Sequence, residues 1–119
     1  MIRVMIVDDN EQFREAFVRL LEHQPAVEVV ARAGSLAEAR EKLWGVDVAI
    51  IDRGLPDGDG IELISELRQA SPGAGVLMLS LTLEHLHPGK ALEAGADEIL
   101  DKLASREEIL SAIHRVAAG

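Results

Sequence analysis

Short runs of apolar, largely β-branched residues alternate along the chain with segments whose apolar residues recur at helical spacing. The five predicted strands begin at Ile2, Val27, Val46, Val76 and Glu98. This alternation predicts successive βα units, which form a parallel sheet with right-handed crossovers and helices on both faces. The five units account for all 119 residues, so the sequence predicts a single α/β domain over residues 1–119.

The boundaries of these elements follow from the same pattern. The predicted strands cover residues 2–7, 27–31, 46–51, 76–79 and 98–100. The predicted helices begin near Phe13, Ser35, Ile61, Pro88 and Ser105, and the second extends to about Leu43. Ser35 and Ser105 each stand three residues before a glutamate, which is the capping-box pattern of a helix start. The apolar end of strand three predicts a strand that is buried on both faces.

Charge and composition exclude several classes of function. Lys and Arg number 12 against 21 Asp and Glu, a net charge of −9, so direct nucleic-acid binding by this chain is not expected. The absence of cysteine excludes disulfides, thiolate metal sites and a cysteine nucleophile. Apolar stretches are no longer than a strand and Arg3 supplies an early charge, so no signal peptide or membrane span is predicted. We therefore expect a cytoplasmic protein.

Polar residues follow four of the five predicted strands. For five βα units we predict the doubly wound order 2-1-3-4-5, in which ligands bind at the carboxyl ends, between the first and third strands. Strand one is followed by Asp8 and Asp9, strand three by Asp52, strand four by Ser80 and strand five by Lys102. The topology brings all five residues to one edge of the sheet.

These five residues suggest a particular chemistry. Three carboxylates and one ammonium carry a net charge of −2, which is unfavourable in a small volume unless a cation binds or protons are taken up. Mg²⁺ prefers oxygen ligands and satisfies this requirement. A hydroxyl at Ser80 and an ammonium at Lys102 suit the oxygens of a transferring phosphoryl group. Asp52 is the best candidate for the nucleophile of an aspartyl-phosphate reaction.

Four motifs, in this order, resemble the receiver domain of two-component response regulators along the whole chain. They are Val-Asp-Asp at 7–9, Asp-Arg-Gly-Leu-Pro-Asp-Gly-Asp-Gly at 52–60, Ser80, and Gly-Ala-Asp-Glu-Ile-Leu-Asp-Lys at 95–102. Three segments are most similar to receivers of the NarL/LuxR type. They are Ile-Arg-Val-Met-Ile-Val-Asp-Asp at 2–9, Ala-Gly-Ala-Asp at 94–97 and Lys-Leu-Ala-Ser-Arg-Glu-Glu-Ile-Leu at 102–110. The resemblance implies a CheY-like fold.

The resemblance also implies a role for each site residue. Asp52 accepts a phosphoryl group from a sensor histidine kinase, and Mg²⁺ is held by Asp9, Asp52 and the Gly54 carbonyl, with Asp8 acting mainly through bound water. Ser80 follows the phosphoryl group as the switch residue, and Lys102 pairs with it. Such a domain is a regulatory phosphoacceptor rather than an enzyme.

The resemblance has consequences for the partners as well. In NarL/LuxR regulators a helix-turn-helix output domain follows a short linker. The chain stops about where that linker begins, so we expect a domain separated from its output domain, with DNA contact delegated to that missing part. A homodimer formed on phosphorylation is a further expectation of the family.

Two positions depart from the family pattern. Ile99 replaces the aromatic residue that many receivers place in strand five, and bulky Leu81 follows Ser80 where a small residue is common. These changes leave open a pseudo-receiver that docks without being phosphorylated. An aspartate-nucleophile phosphatase and a flavodoxin-like flavin carrier use the same architecture. However, Asp52 is followed by Arg53-Gly54 and so lacks the Asp-x-Asp pattern of the phosphatases, and the Asp8-Asp9-Asn10 loop would repel a flavin phosphate without a metal.

Other polar and aromatic residues have simpler interpretations. Asp57 and Asp59 are predicted to be turn and cap residues, because the segment does not complete a calcium-binding loop. His85 and His87 are predicted to lie in a solvated loop, since no acid or thiol cluster accompanies them. Trp44 is predicted to pack in or near the core.

Overall fold

Strands and helices alternate as the apolar pattern predicts, in a computed structural model that describes residues 1–81 and 88–119. The main sheet contains Ile2–Val7 (β1), Val27–Ala33 (β2), Val48–Asp52 (β3), Gly75–Ser80 (β6) and Glu98–Asp101 (β7), and a small hairpin pairs Gly54–Leu55 (β4) with Gly58–Asp59 (β5). The helices are Glu11–Glu22 (α1), Leu36–Arg40 (α2), Leu63–Ala70 (α3), Pro88–Glu93 (α4) and Arg106–Ala118 (α5), with a 3-10 turn at Gly60–Glu62 before α3.

The main sheet is parallel, and its order is β2-β1-β3-β6-β7. Counted among the strands of this sheet alone, that order is 2-1-3-4-5, as predicted. The chain leaves β1 toward one edge and continues from β3 toward the other, so the switch point lies between β1 and β3. The fold therefore has its predicted ligand-binding edge at the carboxyl ends of these two central strands.

Buried side chains form two clusters, one on each face of the sheet. Successive residues of β1 alternate between them: Val4 and Ile6 belong to one cluster, Met5 and Val7 to the other. The strands β3 and β6 alternate in the same way, as the near-continuous apolar runs predict. On one face the sheet packs against α1 and α5, and on the other against α2, α3 and α4.

The helix starts near the sheet edge are capped by side chains. Asn10 Oδ1 accepts a hydrogen bond of 3.0 Å from the Phe13 amide at the start of α1. Ser35 Oγ and Ser105 Oγ accept bonds from the amides of residues 38 and 108, as the two capping-box patterns predict. These caps fix the directions in which the chain leaves β1, β2 and β7.

Some predicted boundaries were wrong by a few residues. The third strand begins at Val48 rather than Val46, because Asp47 Oδ2 accepts a bond from the Arg3 amide and the Val46 amide donates to Ser71 Oγ. The second helix ends at Arg40 rather than at Leu43. The next two amides, those of residues 41 and 42, donate to carbonyls three residues earlier, in place of the i→i−4 bonds of an α-helix. The third begins as a 3-10 turn.

The prediction that Trp44 packs in or near the core was wrong, since 68% of this side chain is exposed. Its neighbours Leu43 and Val46 take the buried positions, and the chain turns between them at Gly45 with a φ of +71°. The predictions for His85 and His87 lie outside the described residues. No helix among the described residues is long and apolar enough to cross a membrane.

Candidate functional site

Backbone hydrogen bonds continue the sheet beyond the strands and carry three polar side chains to one point. The Asp8 amide donates to the Ala33 carbonyl at 2.9 Å, and the Lys102 amide donates to the Ser80 carbonyl at 2.8 Å. Asp52 is the last residue of β3 and pairs with Leu79 of β6. Asp8, Asp52 and Lys102 thus meet at the carboxyl edge, as predicted.

The Lys102 ammonium lies between two buried carboxylates. Its Nζ is 3.0 Å from Asp8 Oδ2 and 3.1 Å from Asp52 Oδ2. The side chains are little exposed, with 13% of Lys102, 3% of Asp8 and 9% of Asp52 accessible to solvent. At this depth charge interactions are stronger than at the surface, so the ammonium holds the two carboxylates together.

Asp9 completes an acidic cluster. Asp8, Asp9 and Asp52 each offer a carboxylate oxygen, and these oxygens lie within 4.8 Å of one another. Asp9 is exposed, while the other two are buried. Asp8 Oδ2 makes no hydrogen bond within the part of the chain that the structure describes, although it is close to the ammonium. A hard cation that takes oxygen ligands fits this donor set.

The environment of Asp52 changes its acidity. Burial, followed by the neighbouring Asp8 charge, raises the pKa of Asp52 to about 6, although the ammonium and hydrogen bond of Lys102 oppose the shift. Burial lowers the pKa of Lys102, but the hydrogen bonds and charges of the two aspartates outweigh it, and the net pKa is raised. One lysine therefore does not neutralise the cluster, and the remaining negative charge favours a bound cation.

The remaining predicted site residues flank this centre. Ser80 ends β6, and its buried Oγ has no hydrogen-bond partner among residues 1–81 and 88–119. The Gly54 amide donates to Asp52 Oδ1 at 3.3 Å, so the loop after β3 folds back onto the carboxylate. Ligation of a metal by the Gly54 carbonyl stays a prediction.

Contacts within the loop after Asp52 hold it in place, and sequence reasoning missed most of them. Arg53 Nη2 is 2.9 Å from Asp59 Oδ2, and the Gly60 amide donates to the Arg53 carbonyl at 2.9 Å. Burial raises the pKa of Asp59, but the Arg53 hydrogen bond and charge outweigh it, and the net shift is downward. Asp57 accepts the first amides of α2, from Leu36 at 2.8 Å among others, so it caps a helix distant in sequence.

Two residues of α1 also contact the site and were not predicted there. Arg14 Nη1 donates to the Asp8 carbonyl at 2.9 Å. The Lys102 Nζ lies over the ring of Phe13, 4.8 Å from its centroid. The spacing of Phe13 along α1 predicts only a place in an apolar stripe, and its contact with Lys102 depends on how the start of α1 packs beside the segment that joins β7 to α5.

The two residues that depart from the family pattern lie in different environments. Leu81 is 52% exposed, so it is not buried over the site. Ile99 is half-buried and packs against the core cluster on the α2–α4 face of the sheet. An aliphatic side chain therefore occupies the position where many receivers carry an aromatic.

A 2-1-3-4-5 parallel sheet that gathers three aspartates, a serine and a lysine at its switch point is the architecture of a receiver domain. The sequence matches the response regulator receiver domain family over residues 4–114, and the chain belongs to that family. It is a receiver of the NarL/LuxR type, a phosphorylation-controlled signalling switch, as the resemblance implied. The pseudo-receiver, phosphatase and flavin-carrier alternatives are not favoured.

Relatives of known name support this assignment. Over its full length the chain is 40% identical to the transcriptional regulatory protein UhpA of Escherichia coli and 37% identical to the DNA-binding transcriptional activator DevR/DosR of Mycobacterium tuberculosis. It spans 60% and 56% of the length of these two proteins.

A solved structure gives the same result. A two-component response regulator of the LuxR family from Aurantimonas is 34% identical and superposes with a TM-score of 0.87, with 98% of this chain and 85% of that one covered.

Proposed function

We propose that Asp52 is the phosphoacceptor of this receiver domain, with Lys102 and Ser80 as partners of the transferred group. The observation that carries the proposal is the buried Asp52 carboxylate, held 3.1 Å from the Lys102 ammonium. At the end of β6, the buried Ser80 hydroxyl has no hydrogen-bond partner in the described part of the chain. A carboxylate at the convergence of three strand ends is available for attack from the open edge of the sheet.

The reaction is a transfer of one phosphoryl group to a carboxylate oxygen. An Asp52 oxygen forms a bond to phosphorus while the bond from phosphorus to the donor histidine nitrogen breaks, and that nitrogen keeps the electron pair of the broken bond and takes a proton from solvent. Lys102 then pairs with a phosphoryl oxygen, and the Ser80 hydroxyl gains a hydrogen-bond partner that it does not have among the described residues. The same chemistry permits self-phosphorylation and hydrolysis of the product, and no other enzymatic activity is proposed.

The acidic cluster fits Mg²⁺, which we propose as the cofactor. Asp9, Asp52 and the Gly54 carbonyl would hold the ion, with Asp8 acting mainly through water. The bound ion supplies positive charge that favours the approach of an anionic phosphoryl donor to three carboxylates. Support comes from the donor set itself, three carboxylates whose oxygens lie within 4.8 Å of one another and which one ammonium does not neutralise.

The partners follow from the family. We propose a sensor histidine kinase as the donor, a cytoplasmic location, and a homodimer that forms on phosphorylation. The relatives named above are transcription regulators longer than the matched region. We therefore propose that residues 1–119 are the single receiver domain of such a regulator, and that a helix-turn-helix output segment outside them binds DNA.

Intact-mass analysis tests the phosphoacceptor directly. The chain is incubated with Mg²⁺ and acetyl phosphate, and we expect the mass to rise by one phosphoryl group in an acid-stable, base-labile adduct. Asp52→Asn should remove the adduct. Asp47→Asn, a change of the same kind at the amino end of β3, should retain it because the Asp47 carboxylate accepts a bond from the Arg3 amide and lies at the end of the strand away from the cluster.

Two results would count against the proposal. An adduct that persists in Asp52→Asn would place the nucleophile elsewhere. If neither acetyl phosphate nor a phosphorylated histidine kinase modifies the wild-type chain, the result would favour a pseudo-receiver that docks without being phosphorylated.

A further inference from the structure

The Lys102 ammonium has an aromatic neighbour in addition to its two carboxylates. Its Nζ lies over the face of Phe13, 4.8 Å from the ring centroid. The Phe13 ring is in turn stacked on Phe17, with centroids 5.9 Å apart and planes inclined by 14°. Phe13 is half-buried and Phe17 is buried, and the ring of Phe13 is the one that faces the Lys102 ammonium.

The distance and the burial make this contact energetically significant. A cation within about 6 Å of a ring centroid is attracted by the negative face of the ring, and the attraction grows as the cation loses water. Only 13% of the Lys102 side chain is exposed. The carboxylates of Asp8 and Asp52 attract the ammonium as well, so the ring and the aspartates together restrict its position.

A cavity next to the ring shows what the ring prevents. It has a volume of about 180 Å³, opens between α1 and the start of α5, and is lined by Lys102 together with Phe13, Phe17 and Ile109. Without an aromatic face at position 13, the long lysine side chain has this space into which to move. Its flexible stem loses side-chain entropy on being fixed, so the ring adds a restraint to the one that the two carboxylates supply.

We infer that Phe13 is a positioning residue of the phosphoryl site, whose ring face holds the Lys102 ammonium toward Asp8 and Asp52. The inference rests on the proposed function, because Lys102 must act on the transferred group for its position to affect the rate. Phe13 acts through the Lys102 ammonium and not on the acceptor carboxylate itself.

The experiment compares phosphorylation rates by acetyl phosphate at saturating Mg²⁺. Phe13→Leu keeps an apolar side chain but removes the ring face, and we expect the rate to fall about threefold to tenfold. Phe13→Tyr keeps the face and should recover most of the rate. Phe17→Leu is the matched control, because it removes the ring stacking but leaves Phe13 over the ammonium, and it should remain close to wild type.

A Lys102→Met background separates positioning from general damage. There Phe13→Leu should add no further loss, since the group that it positions is gone. Equal rates for Phe13→Leu and Phe17→Leu, or an undiminished effect of Phe13→Leu without the lysine, would overturn the inference. Circular dichroism confirms that each variant is folded.

A spectroscopic readout makes the test independent of activity. The ring current of Phe13 shifts the NMR signals of the Lys102 ε-methylene protons, and Phe13→Leu should return them toward ordinary lysine values while Phe17→Leu leaves them in place. If the wild-type chain takes no phosphoryl group, the proposed function fails and the positioning of the ammonium is judged on this signal alone. An Lys102 signal that does not change in Phe13→Leu would refute it.

Discussion

Asp52 is subject to opposing influences at the scale of a single carboxylate. Burial and the Asp8 charge favour its neutral form, while Lys102 at 3.1 Å favours its charged form, and the net pKa is about 6. An acceptor must be deprotonated to attack phosphorus, so a bound cation also helps by favouring the charged form. The residues that set this pKa, Asp8 and Lys102, were predictable as neighbours of Asp52 from sequence because all three stand at the ends of strands.

The raised pKa of Asp52 predicts a pH-dependent stability for the metal-free chain. The ordinary pKa is 3.8 and the folded value is about 6, so the folded state binds more protons between these values and stability falls as pH rises through them. The Asp52→Asn variant has no carboxylate at this position, so its stability does not fall in this way. With divalent cations removed by a chelator, its unfolding free energy should exceed that of wild type by near zero at about pH 4 and by about 2–3 kcal/mol at about pH 7.

Urea denaturation at several pH values measures this difference. Glu22→Gln, which removes an exposed acid at the far end of α1 and outside the cluster, is the control. The shift of Lys102 does not interfere, because its raised pKa matters only above its ordinary value of 10.5. A gain for Asp52→Asn that is independent of pH would contradict the assigned environment of Asp52.

At the scale of elements, the strand order and the buried faces followed from the sequence, but the element ends did not. The apolar run of β3 predicts a strand that is buried on both faces, and β1, β3 and β6 each contribute side chains to both buried clusters. The early end of α2 and the exposure of Trp44 depend instead on tight turns that local periodicity does not encode. The cap that Asp57 supplies to α2 likewise needs the hairpin and the helix to be packed together.

The packing of the 3-10 turn against β3 predicts the effect of one substitution. A Cβ at Gly60 would overlap the carbonyl oxygen of Asp52 and lie 2.7 Å from Ile51 Cγ2, both of which belong to the rigid central strand. Gly60→Ala should therefore destabilise the fold by about 1–3 kcal/mol and slow phosphorylation, since Asp52 must shift. Thermal unfolding and the acetyl phosphate assay measure the two effects.

Gly73→Ala is the matched control for Gly60→Ala. A Cβ at Gly73 meets nothing within 4 Å, and neither glycine has a positive φ, so the two changes differ in steric overlap alone. Gly73→Ala should leave stability and rate within error of wild type. Comparable losses in the two variants would mean that the turn does not press on β3.

For the whole molecule, the net charge of −9 is unevenly placed with respect to the sheet. Asp8, Asp9 and Asp52 meet at the carboxyl edge, where the Lys102 ammonium pairs with two of them. Most of the other acidic residues that the structure describes are exposed. The order of the sheet made this cluster predictable from the sequence. The aromatic contact from α1 was not predictable, because it depends on how the helix packs beside a segment that is distant in sequence, and the bond from Arg14 to the Asp8 carbonyl depends on the side-chain conformation of the arginine.

The cluster predicts that Mg²⁺ stabilises the folded chain. The cation binds carboxylates that only folding brings within 4.8 Å of one another, so free Mg²⁺ at about ten times its Kd should add about 1.4 kcal/mol, or roughly 5 °C in Tm. Asp9→Asn should abolish the rise, because it removes the exposed ligand without breaking the buried Lys102 pairs. Glu22→Gln removes the same charge outside the cluster and should keep the rise. Scanning calorimetry with chelator and with millimolar Mg²⁺ measures it, and an equal rise in both variants would assign the effect to general screening of an acidic protein rather than to this site.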